Sequence, residues 1–257
     1  FWAQIWQFTE IRSSRQWDAV LSDADQFPGA RWFEGARLNF AENLLRHRSD
    51  KPALIARLEN GARKSLTYNE LFDQVSECAA GLRQLGVVSG DRVAGFMPNI
   101  PETIVAMLAT ASVGAIWSSC SPDFGINGVM DRFGQIEPKV LFGCDGYFYN
   151  GKTIDTLPRL KAICSKIESI EQLVVVPVIQ DAVAIDGFGN AVLFHDFLSA
   201  HRGAALFCEQ LPFNHPLYIM YSSGTTGAPK CIVHSAGGTL IQHLKEHQLH
   251  VDLKPSD

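Results

Sequence analysis

Residues 221–234 read YSSGTTGAPKCIVH, and they concentrate small hydroxyl side chains, glycines and one lysine in a single short stretch. Glycine lets backbone amides approach a ligand closely, and successive amides in such a turn form a concavity that binds anions. Hydroxyl groups add hydrogen-bond donors, and Lys230 adds a mobile ammonium. Because each hydrogen bond to a charged oxygen contributes about 1.5–3 kcal/mol, the stretch is predicted to hold a polyphosphate.

Two familiar nucleotide-binding patterns do not explain this stretch. A P-loop reads G-x-x-x-x-G-K-[ST], whereas here Gly227 follows Gly224 too closely and Cys231 follows Lys230. The sequence GFGNA at 187–191 lacks the third glycine of a dinucleotide fingerprint. A polar hairpin between two buried strands remains an alternative, although it explains neither the lysine nor the five hydroxyl side chains between residues 221 and 226.

A second candidate for chemistry is HLKEH at 243–247, which fits the H-x-x-E-H pattern of inverted zinc peptidases. His243 and His247 share a helix face at this spacing, and His250 lies nearby, so a zinc site is geometrically possible. A five-residue pattern is common by chance, however, and solvated histidines are its usual explanation. We therefore expect no metal-binding residue here.

The elements that would position the polar stretch are strands and helices in alternation. The pair Thr67 and Glu70 predicts a capping box that begins a helix, and Gly86 predicts its end. A hairpin is predicted over residues 52–67, and a strand over 216–223 leads into the polar stretch. The intervening strands are predicted at 92–97, 115–120, 139–144 and 172–177, with helices at 101–114, 128–137 and 157–168. This order predicts an α/β fold with largely parallel sheets flanked by helices.

The N-terminal 48 residues differ from the remainder in composition. They contain four of the five tryptophans, and their apolar spacing suggests short helices that pack on a larger body. We therefore expect a short helical extension over residues 1–48 and the main domain over residues 49–257.

Composition bounds the class of protein further. The net charge of −5 leaves no basic surplus, so we expect no nucleic-acid partner. The longest apolar run, residues 103–117, is shorter than the roughly 20 residues of a membrane span, so we expect a soluble protein without a membrane partner. Six cysteines without a C-x-x-C pair favour free thiols in a reducing cytoplasm.

The stretch YSSGTTGAPK is similar to the phosphate-loop signature of the adenylate-forming superfamily, whose pattern is aromatic-[ST]-S-G-[ST]-T-G-x-P-K. The segment GDRVAGFMPNIPETIVAMLATASVGAIW also resembles that superfamily. Finer features resemble its branch of acyl-CoA synthetases that activate acetoacetate, namely RWFEGARLNFAENLLRHR, SSCSPDFGINGVMDRFGQIEPKVLF, YNGK and PKCIVHSAGGTLIQHLKEHQLH. In these terms residues 49–257 are the N-terminal portion of an AMP-binding domain.

The resemblance implies that ATP, with Mg²⁺, and acetoacetate form an acyl-adenylate that coenzyme A then converts to the thioester. It makes Thr226 and Lys230 catalytic. It assigns coenzyme A to Phe124 and Gly125, which line the approach of the thiol, and to Lys152 near the nucleotide phosphates. It assigns the phosphates of ATP to Ser222, Ser223, Gly224, Thr225, Thr226, Gly227 and Lys230.

Proteins of this branch are more than twice as long as this chain. The resemblance therefore implies that the adenine contacts, most of the acyl pocket and a mobile C-terminal domain belong to a missing part of the same protein. We expect the chain alone to be catalytically inactive and to expose apolar surface. A ligase of the acetyl or propionyl type and a non-catalytic anion-binding module are the alternative interpretations.

Overall fold

Helices and strands alternate along most of the chain in the computed structural model, which describes residues 1–222 and 227–254. The helices are α1 (Trp2–Phe8), α2 (Phe40–Leu44), α3 (Tyr68–Gln84), α4 (Pro101–Val113), α5 (Ile126–Ile136), α6 (Leu157–Lys166), α7 (Phe194–Ser199) and α8 (Ala236–Lys245), followed by a π-helical turn (Glu246–His250). The strands are β1 (Ala19–Ser22), β2 (Arg31–Glu34), β3 (Arg37–Leu38), β4 (Pro52–Arg57), β5 (Arg63–Thr67), β6 (Arg92–Phe96), β7 (Ile116–Cys120), β8 (Val140–Cys144), β9 (Gly146–Tyr149), β10 (Lys152–Asp155), β11 (Gln172–Val176), β12 (Ala191–Leu193), β13 (Leu211–Pro212), β14 (Pro216–Ser222) and β15 (Lys230–Ser235).

A seven-stranded sheet in the order β12-β11-β8-β6-β7-β14-β15 forms the centre of the fold. All neighbours are parallel except the last pair, in which β15 runs antiparallel to β14. Every residue of β8 is buried, as expected for a parallel strand covered on both faces. The predicted α/β fold is confirmed.

Two hydrophobic cores lie on opposite faces of this sheet, because side chains alternate between faces along each strand. Val140 and Phe142 of β8 join a core that includes buried residues of α3, α4, α7 and α8. Leu141, between them, joins a second core with buried residues of α5 and α6. Helix α5 therefore approaches the sheet from the face opposite α4.

The N-terminal segment contains two short helices, α1 and α2, and also strands that the sequence did not predict. Strands β1 and β2 form an antiparallel pair, and β3 pairs with β13. Trp6 is buried and lies 4.9 Å from the ring of Phe33 and 6.2 Å from that of Phe213, measured between centroids. Trp6 and Phe33 of this segment are thus covered, whereas Phe1, Phe8 and Phe27 remain exposed.

Local sequence signals set the ends of helices α3 and α4. Thr67 Oγ1 accepts a hydrogen bond from the Glu70 amide, and the Glu70 carboxylate accepts one from the Thr67 amide, which confirms the capping box. Gly86 follows α3 with φ +71°, a left-handed conformation that glycine favours. Pro101 begins α4, and Gly114 ends it at φ +81°. Among the described residues, no helix has the length and apolar character needed to cross a bilayer.

Candidate functional site

Strands β14 and β15 form the hairpin that carries the polar stretch. Strand β14 is parallel to β7, so both strands end at the carboxyl edge of the sheet, where open α/β sheets bind ligands. In the antiparallel register Ser222 lies opposite Lys230, and Tyr221 lies opposite Cys231. The predicted ligand residues Ser223, Gly224, Thr225 and Thr226 lie outside the described residues.

Gly227 lies shortly before β15, and Lys230 is the first residue of that strand. Gly227 has φ +95°, and a Cβ there would meet nothing within 4 Å, so the backbone conformation alone favours glycine. Lys230 is exposed, and it takes part in no ion pair of the described part of the chain. Its ammonium is therefore available to an anion at the edge of the sheet.

A cavity of about 450 Å³ lies beside this hairpin. Phe124, one of the residues assigned to coenzyme A, and Tyr221, the first residue of the polar stretch, both line it. The remaining lining residues come mainly from β7, β14 and the chain after β7: Met107, Trp117, Ser119, Cys120, Ser121, Arg132, Tyr218, Ile219 and Met220. The structure thus brings two separately predicted segments to one cavity.

Tyr221 is held to the neighbouring strand through Ser118, a fully buried hydroxyl. Ser118 Oγ lies 2.9 Å from the Tyr221 hydroxyl and 2.9 Å from the carbonyl oxygen of Ile219, to which it donates. Burial raises the pKa of the Tyr221 phenol above its usual range, so the hydroxyl stays neutral and keeps its proton for hydrogen bonding. These contacts fix the end of β14 against β7.

Cys120 also lines the cavity, but its thiol is a poor nucleophile. Burial raises its pKa to about 12, and the nearby positive charge of Arg132 only partly opposes that effect. Near neutral pH the group is therefore a thiol and not the reactive thiolate. The chemistry of the cavity rests on hydrogen bonding and charge.

Arg132 of α5 lies between the two segments that meet at the cavity. Its guanidinium carbon is 4.4 Å from the ring centroid of Phe124 and 5.6 Å from that of Tyr221, both within the range of cation–π attraction. Its Nη1 donates to the carbonyl oxygen of Gly128 at 2.7 Å, which fixes the side chain on its own helix. Arg132 supplies the positive charge among the residues that line this cavity.

The loop that carries Phe124 and Gly125 connects β7 to α5. The Phe124 amide donates to the Ser121 carbonyl oxygen at 3.2 Å, and Gly125 is the N-cap residue of α5. Arg159 of α6 donates to the carbonyl oxygen of Pro122 at 2.6 Å, which ties the loop to the next helix. A Cβ at Gly125 would meet nothing within 4 Å, so this backbone is open to approach from outside.

Lys152 lies apart from these residues. It is exposed at the start of β10, where it pairs with Tyr149 of β9 across a tight turn formed by Asn150 and Gly151. It does not line the 450 Å³ cavity. Phe124 and the hairpin therefore border the same cavity, whereas Lys152 does not.

Another cleft, of about 520 Å³, lies at the end of β11 and contains none of the residues selected from the sequence. Beside it, the buried carboxylate of Asp145 accepts hydrogen bonds of 2.7–3.1 Å from the amides of Val178, Ile179 and Gln180. These three successive amides resemble an anion-binding turn, but the protein's own carboxylate already occupies it.

The histidine pattern at residues 243–247 lies on α8 and the π-helical turn that follows it. The rings of His243 and His247 lie 6.3 Å apart on α8 and the turn after it. Within residues 1–222 and 227–254, no group of three or more His, Cys, Asp or Glu side chains could hold a metal ion.

Sequence reasoning missed three residues that contact the hairpin: Ser118 and Arg132, described above, and Gln135 of α5, which donates to the carbonyl oxygen of Pro229. A polar pair within an otherwise apolar strand, SSC at 118–120, was the available signal for Ser118. Arg132 and Gln135 sit on an amphipathic helix, where polar residues ordinarily indicate a solvated face. Only the packing of α5 beside β14 and β15 distinguishes them from such a face.

Comparison with known proteins gives two family matches and several close relatives. The profile described as AMP-binding enzyme matches residues 40–257, and that described as acetyl-coenzyme A synthetase N-terminus matches residues 1–44. The acetoacetyl-CoA synthetase of Mus musculus is 49% identical over 265 residues, covering 100% of this chain and 39% of that protein. The acetoacetyl-coenzyme A synthetase of Rhizobium meliloti is 50% identical over 258 residues, with coverage of 100% and 39%.

A solved structure agrees with these relatives. The acetoacetyl-CoA synthetase from Streptomyces lividans superposes with a TM-score of 0.93 at 44% identity, covering 99% of this chain and 39% of that chain. The chain thus spans about two fifths of the length of the relatives that it matches.

Proposed function

The chain belongs to the AMP-binding enzyme family, and from that premise we propose that it is part of an acetoacetate–CoA ligase. In the first half-reaction a carboxylate oxygen of acetoacetate attacks the α-phosphorus of ATP, giving acetoacetyl-adenylate and pyrophosphate. In the second, the thiol of coenzyme A attacks the acyl carbon, giving acetoacetyl-CoA and AMP. The observation that carries the proposal is the register of the hairpin, which sets Ser222 opposite Lys230 at the carboxyl edge of the sheet.

The proposed roles at the hairpin follow from charge. Ser222, Gly227 and residues 223–226 would bind the β- and γ-phosphates through hydroxyl and amide donors. Lys230 would neutralise the charge that develops on the leaving pyrophosphate, and Thr226 would donate to the same oxygens. Phosphoryl transfer needs little covalent help from the protein, so positioning and charge supply most of the acceleration.

The proposed coenzyme A site uses the loop before α5. Phe124 would line the path of the thiol toward the cavity, and the open backbone at Gly125 would let the pantetheine arm pass. Lys152 would contact the nucleotide phosphates of the same ligand. Lys152 does not line the cavity, so in this proposal it meets the nucleotide end of the ligand and not the thiol.

Mg²⁺ enters the proposal only as the ion carried by ATP. The described residues contain no cluster of side chains suited to hold a metal, so no step is assigned to a protein-bound ion. Oxygen atoms of the phosphates are themselves ligands that Mg²⁺ prefers. In this proposal the hydroxyl, amide and ammonium groups named above act on the phosphates that carry the ion.

The activity is proposed for the parent protein. Since the chain spans 39% of the relatives' length, we propose that the 257-residue chain by itself does not form the adenylate. A second acid specificity is the alternative with support, because residues 1–44 match the acetyl-coenzyme A synthetase N-terminus. Acetate and propionate are therefore the competing substrates.

The test is acid-dependent exchange of radiolabelled pyrophosphate into ATP by the parent protein, followed by thioester formation with coenzyme A. We expect the highest kcat/KM with acetoacetate, above acetate, propionate and 3-hydroxybutyrate. Lys230→Met should lower exchange roughly 10²-fold, whereas Lys166→Met, on the exposed surface of α6, should not. A preference for acetate would select the alternative specificity, and the absence of exchange with every acid would refute the ligase.

A further inference from the structure

Helix α5 contacts both strands of the hairpin that borders residues 223–226. Arg132 and Gln135 are three residues apart, so they lie on one face of the helix. Arg132 contacts the ring of Tyr221, next to the last residue of β14. Gln135 donates from Nε2 to the carbonyl oxygen of Pro229, immediately before β15, at 2.9 Å. We refer to Arg132 and Gln135 as the α5 pair.

Gln135 uses both ends of its amide on the returning strand. Besides the bond to Pro229, its Oε1 lies 3.7 Å from the thiol of Cys231, which donates to it. The two contacts lie on either side of Lys230 in the chain. The side chain that is proposed to meet pyrophosphate is therefore flanked by backbone and side-chain contacts from a single glutamine.

Strand β15 has a neighbouring strand on one side only, so the contacts from α5 add to the support that β14 gives it. It is the last strand of the sheet, hydrogen bonded to β14, and its first five residues are exposed. The outer backbone groups of an edge strand have no strand partner, so side-chain contacts from another element add order on that side. In the described part of the chain, the side chain of Gln135 contacts the beginning of β15. It does so on the face of the sheet opposite α4.

Arg132 extends the same support to the coenzyme A side. Its guanidinium lies against Phe124 as well as Tyr221, at 4.4 Å and 5.6 Å from the ring centroids. The bond from its Nη1 to the Gly128 carbonyl limits its freedom to leave this position. Helix α5 thus contacts the loop that precedes it and both strands of the hairpin.

We propose that the α5 pair are positioning residues, which hold the two borders of the phosphate-binding segment and fix Lys230 relative to Tyr221 and Phe124. This inference rests on the proposed function. Neither residue needs to touch substrate. Holding these groups before ATP arrives removes part of the ordering cost from the binding step, which is the general benefit of preorganisation.

The diagnostic variant is Gln135→Met in the parent protein, because methionine keeps the length of the side chain and removes the contacts with Pro229 and Cys231, together with a bond to the Asp131 carbonyl oxygen on the same helix. We expect KM for ATP to rise about threefold to tenfold, with kcat and the KM for acetoacetate changed less than twofold.

Gln135→Glu keeps the shape, loses the donor and adds a negative charge near the phosphates, so its KM for ATP should rise further. Arg132→Lys keeps the charge but loses the planar stack, and should raise the KM for both ATP and coenzyme A.

The matched control is Gln242→Met on α8, since Gln242 bonds only to the exposed Glu246 carboxylate within the described contacts. It should leave all kinetic constants unchanged. An independent readout is hydrogen exchange in the unliganded chain, where Gln135→Met should speed exchange of the β15 amides and leave those of β8 unchanged. Unchanged exchange in β15 would overturn the inference, as would a fall in kcat with unchanged KM for ATP.

The two proposals fail in different ways. If the unaltered parent protein shows no exchange with any acid, the proposed ligase function is wrong, and the exchange of β15 amides still decides whether Gln135 supports the strand. If the parent protein is an active ligase and Gln135→Met behaves as Gln242→Met does in both assays, the positioning role is wrong and the function stands.

Discussion

Asn39 connects three parts of the molecule through one buried side-chain amide. It is fully buried, and its Nδ2 lies 3.0 Å from the carbonyl oxygen of Ala111, 3.3 Å from that of Ser112 and 2.9 Å from that of Glu209. Its Oδ1 caps α2 by accepting from the Glu42 amide. Buried polar groups of this kind are costly to leave without partners.

We expect Asn39→Ala to lower the free energy of unfolding by about 2–4 kcal/mol, since it removes the cap of α2 and the buried side-chain hydrogen bonds to the carbonyl oxygens of Ala111, Ser112 and Glu209. Asn60→Ala is the matched control, because Asn60 is exposed and its Oδ1 accepts one bond, from the Ala62 amide. That control should cost less than about 0.5 kcal/mol. Urea titration followed by tryptophan fluorescence measures both, and equal midpoints for the two variants would contradict the role given to Asn39.

At the level of single residues, the sequence identified a candidate for chemistry but not the residues that support it. The stretch from Tyr221 to Lys230 was identifiable because its hydroxyls, glycines and lysine are adjacent in the chain. Ser118 and Tyr221 are separated by more than a hundred positions, and their contact exists only because β7 and β14 are neighbours. The sequence gave no signal for the long-range contacts of Asn39. An asparagine before a helix indicates a cap and says nothing of distant carbonyl groups.

Among the helices, α3 packs against α7 at a glycine. A Cβ placed on Gly81 would lie 2.5 Å from Cζ of Phe197, well inside the distance that carbon atoms tolerate. Gly134 of α5 is also inside a helix, but a Cβ there would come no closer than 3.8 Å to Met130 and would point toward solvent. Substitutions at the two glycines therefore distinguish the effect of helix propensity from that of packing.

Gly81→Ala should destabilise the protein by about 1–3 kcal/mol, because a buried ring must move to accommodate the methyl group. Gly134→Ala should instead stabilise it by about 0.5–1 kcal/mol, since alanine loses less backbone entropy in a helix. Thermal and urea unfolding of the two variants measure the difference. If both substitutions stabilised the protein, the close contact between α3 and α7 would be refuted.

Elements with local signals were predicted well, and those set by distant contacts were not. The capping box of α3 and the proline and glycine that bound α4 are encoded within a few residues, so their ends matched the structure. Strands β1 and β2 have four residues each and no clear alternation of burial, so only their mutual pairing reveals them. Strand β15 reads as apolar in sequence, yet its position at the sheet edge leaves it exposed.

The order of the strands is a property of the whole molecule that local patterns do not encode. Strand β6 lies between β7 and β8, and β14 joins the sheet beside β7 after nearly a hundred intervening residues. Alternation predicted a parallel sheet, because βαβ units require one. It did not predict that α5 would lie within reach of β15, and this is why the α5 pair was invisible in the sequence.

The open edge of the sheet governs how the 257-residue chain behaves in solution. Met220 and Ile232 are cross-strand partners, and they are 54% and 46% exposed. Together with the outer backbone groups of β15, they present an apolar edge of the kind that pairs with other chains. We expect the isolated chain to self-associate in a concentration-dependent way.

Ile232→Lys should weaken this self-association at least tenfold, because lysine on an edge strand opposes pairing through charge and hydration. Val88→Lys is the control, since Val88 is 60% exposed and lies in the turn after α3, away from β15. Sedimentation velocity over a range of protein concentrations measures the effect. We expect the Ile232 variant to stay monomeric at concentrations where the unaltered chain and the Val88 variant associate, and identical sedimentation of both variants would show that association does not use β15.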